Sequence, residues 1–435
     1  MNGLGPRLVI LVTMAGLLVP RARSQEIFSF NRDRALSMWN QVASDIEKHY
    51  YDPQFHGLDW NATVADTKQK IKSSPSFDVA LAHVAQALVS LNDSHTRFLP
   101  PPHPYFRGYG FQMAMVGERC YVIRVRPGTD AEAKGLKVGD ELLGVNDYRP
   151  VRQNLWLIEY RYNVLRPDAG LRLVLRDVQG QQRQVDVKGE FDKVPRFQEA
   201  TARGVRAARE WEDQRHLFRG RWAEVGDVGI LKLPVFFLEQ SEEEALMKKA
   251  GKHPSLIMDL RGNPGGATES LKGLLGGVFE KDVKIADRVG RKESKPEIAK
   301  TWKHGVFTGK LVVLVDSQSA SASELFARVV QLEKRGLVMG DRSSWSVMEA
   351  RFHVCGPGTA IKVPYGAEIT EADLIMSDGK SLEHTGVTPD ERVLPTAEAL
   401  ASGEDPVLSR AASLLGAKLT PEDAGKLFPY EWSKE

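Results

Sequence analysis

The chain has 435 residues, and its 59 basic and 57 acidic side chains leave a formal charge of +2, too little field to hold a nucleic acid or an anionic membrane surface. A hydrophobic fraction of 42% is that of an ordinary globular protein with about two or three domains, not of a disordered chain. The two cysteines, Cys120 and Cys355, are too few for a disulfide framework or a cysteine metal site, and no histidine is followed by glutamate as a His-Glu-x-x-His helix requires. No metal and no cofactor is expected.

Residues 1–24 have the parts of an export signal. Arg7 is the basic end, 8–19 is an apolar run too short to cross a bilayer comfortably, Pro20 breaks it, and Ala22 and Ser24 supply small residues before a mature start near Gln25. A secreted or periplasmic protein without a later membrane span is expected; an uncleaved anchor is the alternative. From 25 to 104 the pattern is helical. Leu36, Trp39, Val42, Ile46 and Tyr50 fall three and four apart, as do Leu81, Val84, Leu88 and Leu91, before Pro100, Pro101 and Pro104 form a stiff boundary.

Between 105 and 195 the period becomes two. Tyr121, Ile123 and Val125 alternate with more polar neighbours, 171–175 and 183–187 read as further strands, and Gly128, Gly135 and Gly180 mark turns. The Arg-rich stretch 196–226 reads as a connection with a short helix. After it, 228–233, 256–260 and 311–315 are strands; the last is apolar at every position, as in a sheet covered by helices on both faces. The fold expected is multidomain α+β: an N-terminal helical region, a small β-module at 105–195, a βαβ-type core at 196–400 and a helical tail at 401–435.

Two loops of that core can carry chemistry. Ser321 stands where the strand 311–315 passes into a helix through Ser319, Ala320, Ala322 and Ser323. A hydroxyl at such a corner has the helix N-terminus and the next backbone N–H beside it, as a nucleophile needs. The same residue also reads as a helix N-cap paired with Glu324. The loop 259–266, Asp-Leu-Arg-Gly-Asn-Pro-Gly-Gly, brings paired glycines whose amides can approach an oxyanion; it lacks the lysine and serine/threonine of a phosphate loop.

These motifs, with Gly386, Val387, Thr388, Pro389 and Asp390, resemble the C-terminal-processing (tail-specific) serine peptidases, whose superfamily includes the tricorn-core and interphotoreceptor-retinoid-binding-type domains. The block 105–195 resembles that family's PDZ domain: Gly108, Tyr109, Gly110 and Phe111 are similar to its carboxylate-binding loop, and 135–140 to the turn before a PDZ strand. The resemblance implies a ClpP/crotonase-like core acting on polypeptides. It implies Ser321 as nucleophile, an oxyanion hole from the amides of Ala322 and Gly265 or Gly266, and capture of a free C-terminus by Tyr109, Gly110 and Phe111. One position departs from it: Ser346 stands where the processing peptidases carry a lysine base. The Ser94–His95 pair and Glu383 resemble the tricorn-type branch, which implies His95 as base, oriented by Ser94 or Glu383. His384 is the alternative base. The tricorn match is partial, since Ala322 stands where that branch has an acidic residue. The rival reading is a non-catalytic peptide or apolar-ligand binder on the same fold.

Overall fold

The computed structural model describes residues 19–101, 106–191, 219–355 and 365–432. Most of the expected export signal, residues 1–18, and most of the expected connection lie outside them, as does the side chain of Cys355.

The continuous apolar run does lie in a sheet covered on both faces. The strand Lys310–Val315 sits inside a six-stranded sheet, between Leu337–Gly340 and Ser255–Asp259, with Val228–Lys232 beyond; all these pairs are parallel. Leu311, Val313 and Val315 pack into the core formed with the helices Gln240–Ala250, Thr268–Val278 and Ala322–Leu332. Val312 and Leu314 point the other way, against the helix Pro406–Leu414 through Val407, Leu408 and Ala411. Each such buried aliphatic side chain contributes about 1.5–3 kcal/mol. The helical tail is therefore the second cover of the core sheet rather than an appendage.

The reading of 196–226 as a connection does not hold at its end. Arg221–Val225 is the antiparallel edge strand of this sheet, joined to Val228–Lys232 through Gly226, whose φ of 55° closes the turn. Its charged residues occupy a sheet edge, where one side meets water, and so mask the alternation that marks a strand.

A second sheet joins the N-terminal helices to the core. Its central strand Tyr365–Ile375 pairs with Arg97–Leu99, Val283–Gly290 and Met348–Cys355. The stripes read from sequence, Trp39, Val42, Ile46, Leu81, Val84 and Leu88, form one cluster with Ala367 and Ile369 of that strand. The module after residue 105 is an antiparallel five-stranded sheet in the order Phe111–Val116, Arg119–Val125, Glu141–Val145, Gly170–Arg176, Gln182–Lys188. Phe111–Val116 is its edge strand, paired on one side. Arg152 fixes the module to the core: it forms a buried ion pair with Asp341 and donates to the carbonyl of Arg342 at 3.0 Å.

Candidate active site

Ser321 immediately precedes the helix Ala322–Leu332, with φ 54° and ψ −117°. A non-glycine residue in that region stores on the order of 1–3 kcal/mol of strain and persists only where its surroundings impose it. The Ser321 amide donates to the carbonyl of Ser346 at 2.8 Å and to Glu324 Oε2 at 3.1 Å. Asn263 O receives the Ala320 amide at 3.0 Å and the Ser323 hydroxyl at 2.9 Å, stitching the glycine loop to the serine corner. Glu324, read from sequence only as a cap partner, is a hub. Its buried carboxylate also accepts from the Ser343 hydroxyl at 2.5 Å and the amides of Trp345 and Ser346 at 2.8 and 2.9 Å. Burial pushes its carboxyl up to about 7, with these donors opposing the shift.

The paired glycines meet the corner directly. A Cβ on Gly265 would lie 2.7 Å from Ser321 Cβ and 3.0 Å from the Ala322 nitrogen; one on Gly266 would lie 2.2 Å from the Phe236 carbonyl oxygen. Their φ values of 101° and 144° also demand glycine. The two amides differ. That of Gly265 is taken by Asn263 Oδ1 at 2.8 Å, so Gly265 shapes the corner and is not a spare donor. The amides of Gly266 and Ala322 have no hydrogen-bond partner among the described residues. Asn263, whose side chain selects between the two glycines, carries no sequence signal of that role, since the legible feature of its loop is the glycine pair.

The candidate base is built from distant parts of the chain. Glu383 Oε1 accepts from the Ser94 amide at 2.7 Å, and its Oε2 accepts from the Ser94 hydroxyl at 2.8 Å. Ser94 Oγ lies 2.7 Å from His95 Nδ1. A hydroxyl has one proton, and here it goes to the carboxylate. Nδ1 must then be the donor to Ser94 Oγ, which leaves Nε2 bare, the tautomer a general base requires. Asp93 Oδ1 fixes the turn by accepting from the amides of His95 and Thr96 at 3.0 and 2.6 Å. Burial drives the His95 imidazole down to about 4, with Asp93 opposing, so it is neutral near pH 7. Burial likewise raises the Glu383 carboxyl, against the Val347 amide and Ser94.

The segment 343–347 lies between the two halves. Ser346 O receives the Ser321 amide, while the next residue, Val347, donates its amide to Glu383 Oε2 at 2.9 Å. No hydrogen bond joins His95 to Ser321 among the described residues; such contacts often tighten only when substrate binds. Both line one cleft of about 1520 Å³, as do Ser346, Gly266 and Ala322. His384 is more than half exposed, and its Nε2 is held by the carbonyl of Asn92 at 2.9 Å, which occupies the alternative base.

The same cleft reaches Tyr109, Phe111 and Met113 at the free edge of the β-module. Gly110, at φ 74°, presses against Thr129: an added Cβ would lie 2.5 Å from its Oγ1. The Tyr109 phenol is bound to the amide and carbonyl of Asp168, at 2.9 and 3.0 Å, so that side chain is structural. The backbone amides of Tyr109 and Gly110 have no hydrogen-bond partner among the described residues.

Residues 227–393 match the model of Peptidase family S41, and residues 105–154 that of the PDZ domain. The chain is 26% identical over 406 residues to a putative tricorn protease homolog 2 of Streptomyces coelicolor, covering 86% of this chain and 32% of that protein. It is 25% identical over 360 residues to a tail-specific protease of Haemophilus influenzae, covering 74% of this chain and 48% of the other. The chain thus spans about a third and about half of those two relatives. Among solved structures, the photosystem II D1 C-terminal processing protease superposes with a TM-score of 0.55 at 18% identity, covering 91% of this chain and 99% of the other. Mature CPAF superposes with a TM-score of 0.62 at 15% identity, covering 86% and 94%. Both likenesses concern the fold.

Proposed function

We propose that this chain, whose residues 227–393 match the model of Peptidase family S41, is a serine peptidase acting on polypeptides, with Ser321 as nucleophile and His95 as general base. The observation that carries the proposal is the convergence of two hydrogen-bonded systems on one segment: the Ser321 amide on Ser346, and the Glu383–Ser94–His95 chain on Val347.

In this reading the Ser321 hydroxyl attacks the scissile carbonyl carbon as His95 Nε2 takes its proton. The carbonyl oxygen becomes an oxyanion facing the amides of Gly266 and Ala322. The C–N bond then breaks, the leaving amine takes the proton back from His95, and water repeats the sequence to release the acyl group from Ser321. Ser94 and Glu383 hold the imidazole in one tautomer and stabilise its positive form, the logic of a triad with one hydroxyl inserted. The PDZ domain supplies the edge strand Phe111–Val116, to which an extended peptide can add, and the amides of Tyr109 and Gly110 for its terminal carboxylate. Export is inferred from the signal pattern of residues 1–24, giving a secreted or periplasmic protein that starts near Gln25. Among the described residues no helix is long and apolar enough to cross a membrane.

A fluorophosphonate probe tests the assignment. Wild type should be labelled, Ser321→Ala should not, and His95→Ala should label orders of magnitude more slowly. A wild type inert to the probe, yet binding peptides, would replace the peptidase with the non-catalytic binder. N-terminal sequencing of the exported product tests the processing site.

A further inference from the structure

Outside the cleft, three side chains from separate elements converge. His49 ends the helix Val19–His49, His353 lies on Met348–Cys355, and Glu371 lies on the neighbouring strand Tyr365–Ile375. The nearest donor atoms of the three all lie within 4.8 Å of one another. The two imidazoles face each other with centroids 4.4 Å apart and planes tilted by 34°, and His353 Nε2 is 3.2 Å from Glu371 Oε1. No hydrogen bond of the His49 ring occurs among the described residues, and of those only this cluster engages it.

We propose that His49, His353 and Glu371 bind a divalent transition ion of the zinc class. Two imidazoles and a carboxylate are a donor set for such ions and a poor one for Ca2+ or Mg2+, which prefer oxygen throughout. With metal–ligand bonds of about 2.0–2.2 Å, donors at tetrahedral angles stand roughly 3.3–3.6 Å apart. The His353–Glu371 pair, at 3.2 Å, lies just inside that spacing and needs to open only slightly. His49 is exposed, so its ring can swing the further ångström or so that closure requires. Glu371 is oriented for the task, since its other oxygen, Oε2, forms an ion pair with Arg351 Nε at 3.2 Å and Oε1 is left to the imidazoles. A carboxylate ligand steadied by a partner outside the coordination shell is the usual arrangement around a bound ion. The Arg351 charge opposes a cation, but that side chain is 70% exposed and its field is screened by water. The frame is pre-set as well: the Tyr51 amide donates to the Thr370 carbonyl at 3.0 Å, tying the helix end to the strand beside Glu371. Water would complete the coordination.

An ion here would brace the N-terminal helix against the sheet. Thr370, next to Glu371, donates its hydroxyl to Asp93, which holds the His95 turn. The site itself rests on no part of the peptidase reading.

The test uses the full chain without a histidine tag, stripped by chelator. Zn2+ titrated calorimetrically should bind once per chain and raise the melting temperature, and Co2+ should give visible ligand-field bands. His49→Ala and Glu371→Gln should each weaken Zn2+ binding by at least about tenfold and abolish the Co2+ bands, while His253→Ala should leave both unchanged. Peptide hydrolysis by metal-free His49→Ala should equal that of the metal-free wild type. Absence of saturable Zn2+ binding, or equal binding by wild type, His49→Ala and Glu371→Gln, would overturn the site.

Discussion

Glu383→Gln changes one carboxylate oxygen into an NH2 group at constant size, at a position where both oxygens are engaged. Oε1 accepts from the Ser94 amide, and Oε2 from the Ser94 hydroxyl and the Val347 amide. Glutamine has one acceptor oxygen, so in either orientation its NH2 confronts a backbone N–H that cannot accept. Stranding that donor costs about 1–3 kcal/mol of stability. If the NH2 faces Ser94 Oγ, the hydroxyl must reverse and donate to His95 Nδ1. The ring proton then moves to Nε2, where the base has to be bare. Even in the other orientation the anion that stabilises the transient imidazolium is gone. A hydrogen bond to a charged group is worth about 1.5–3 kcal/mol, and at about 1.4 kcal/mol per tenfold this is a loss of roughly 10- to 150-fold. The assay is kcat and KM on a peptide substrate, with the probe-labelling rate and a melting curve beside them. The expectation is a lower kcat, little change in KM and a lower melting temperature. A variant retaining kcat within about twofold would refute the role of Glu383 in orienting the base.

The acid limb of kcat/KM should titrate near 4 rather than near the ordinary histidine value, because burial depresses His95. The same shift has a stability sign: between about 4 and 6.5 the unfolded chain binds a proton that the folded chain refuses. Urea midpoints should therefore fall as pH drops through that window, less so in His95→Ala; an acid limb near 6.5 would contradict the burial of the ring. Gly265→Ala, which adds a methyl 2.7 Å from Ser321 Cβ, should lower kcat by about 100-fold or more while the fold, read by circular dichroism, survives. Gly110→Asp sets a carboxylate where a peptide carboxylate is proposed to dock and forces a side chain against Thr129. It should weaken binding of free-acid peptides, and equal wild-type affinity for free-acid and amidated peptides would remove that docking role.

Much of this was legible in the sequence because local physics decided it. The run 311–315 could only be a doubly covered strand, the stripes at Trp39 and Val84 could only be buried helix faces, and the paired glycines at 265 and 266 announced a backbone close to something. What stayed hidden was tertiary. The strand Arg221–Val225 is charged because it lies at an edge, and the tail helices cover a sheet that sequence cannot show to be bare on that side. Choosing Gly266 over Gly265 as the free amide depends on where the Asn263 side chain turns, and no spacing records that. His49, His353 and Glu371 are too far apart in the chain for any motif to unite them.

Ser346 shows why a departure from a family pattern need not dismantle a site. Its carbonyl receives the Ser321 amide and its own amide goes to Glu324, so the main chain at this position holds the strained serine whatever side chain it bears. Val347, one residue on, carries the same path to Glu383. In the proposed mechanism, a serine in place of the family's lysine removes a base but leaves the scaffold that would position nucleophile and relay. On that proposal, proton transfer falls to the group across that scaffold. His95 meets it in three respects: its Nδ1 is occupied by Ser94, its ring is neutral at neutral pH, and it opens on the same cleft. His384 also borders that cleft, but its Nε2 is tied to the Asn92 carbonyl and the side chain is more than half exposed.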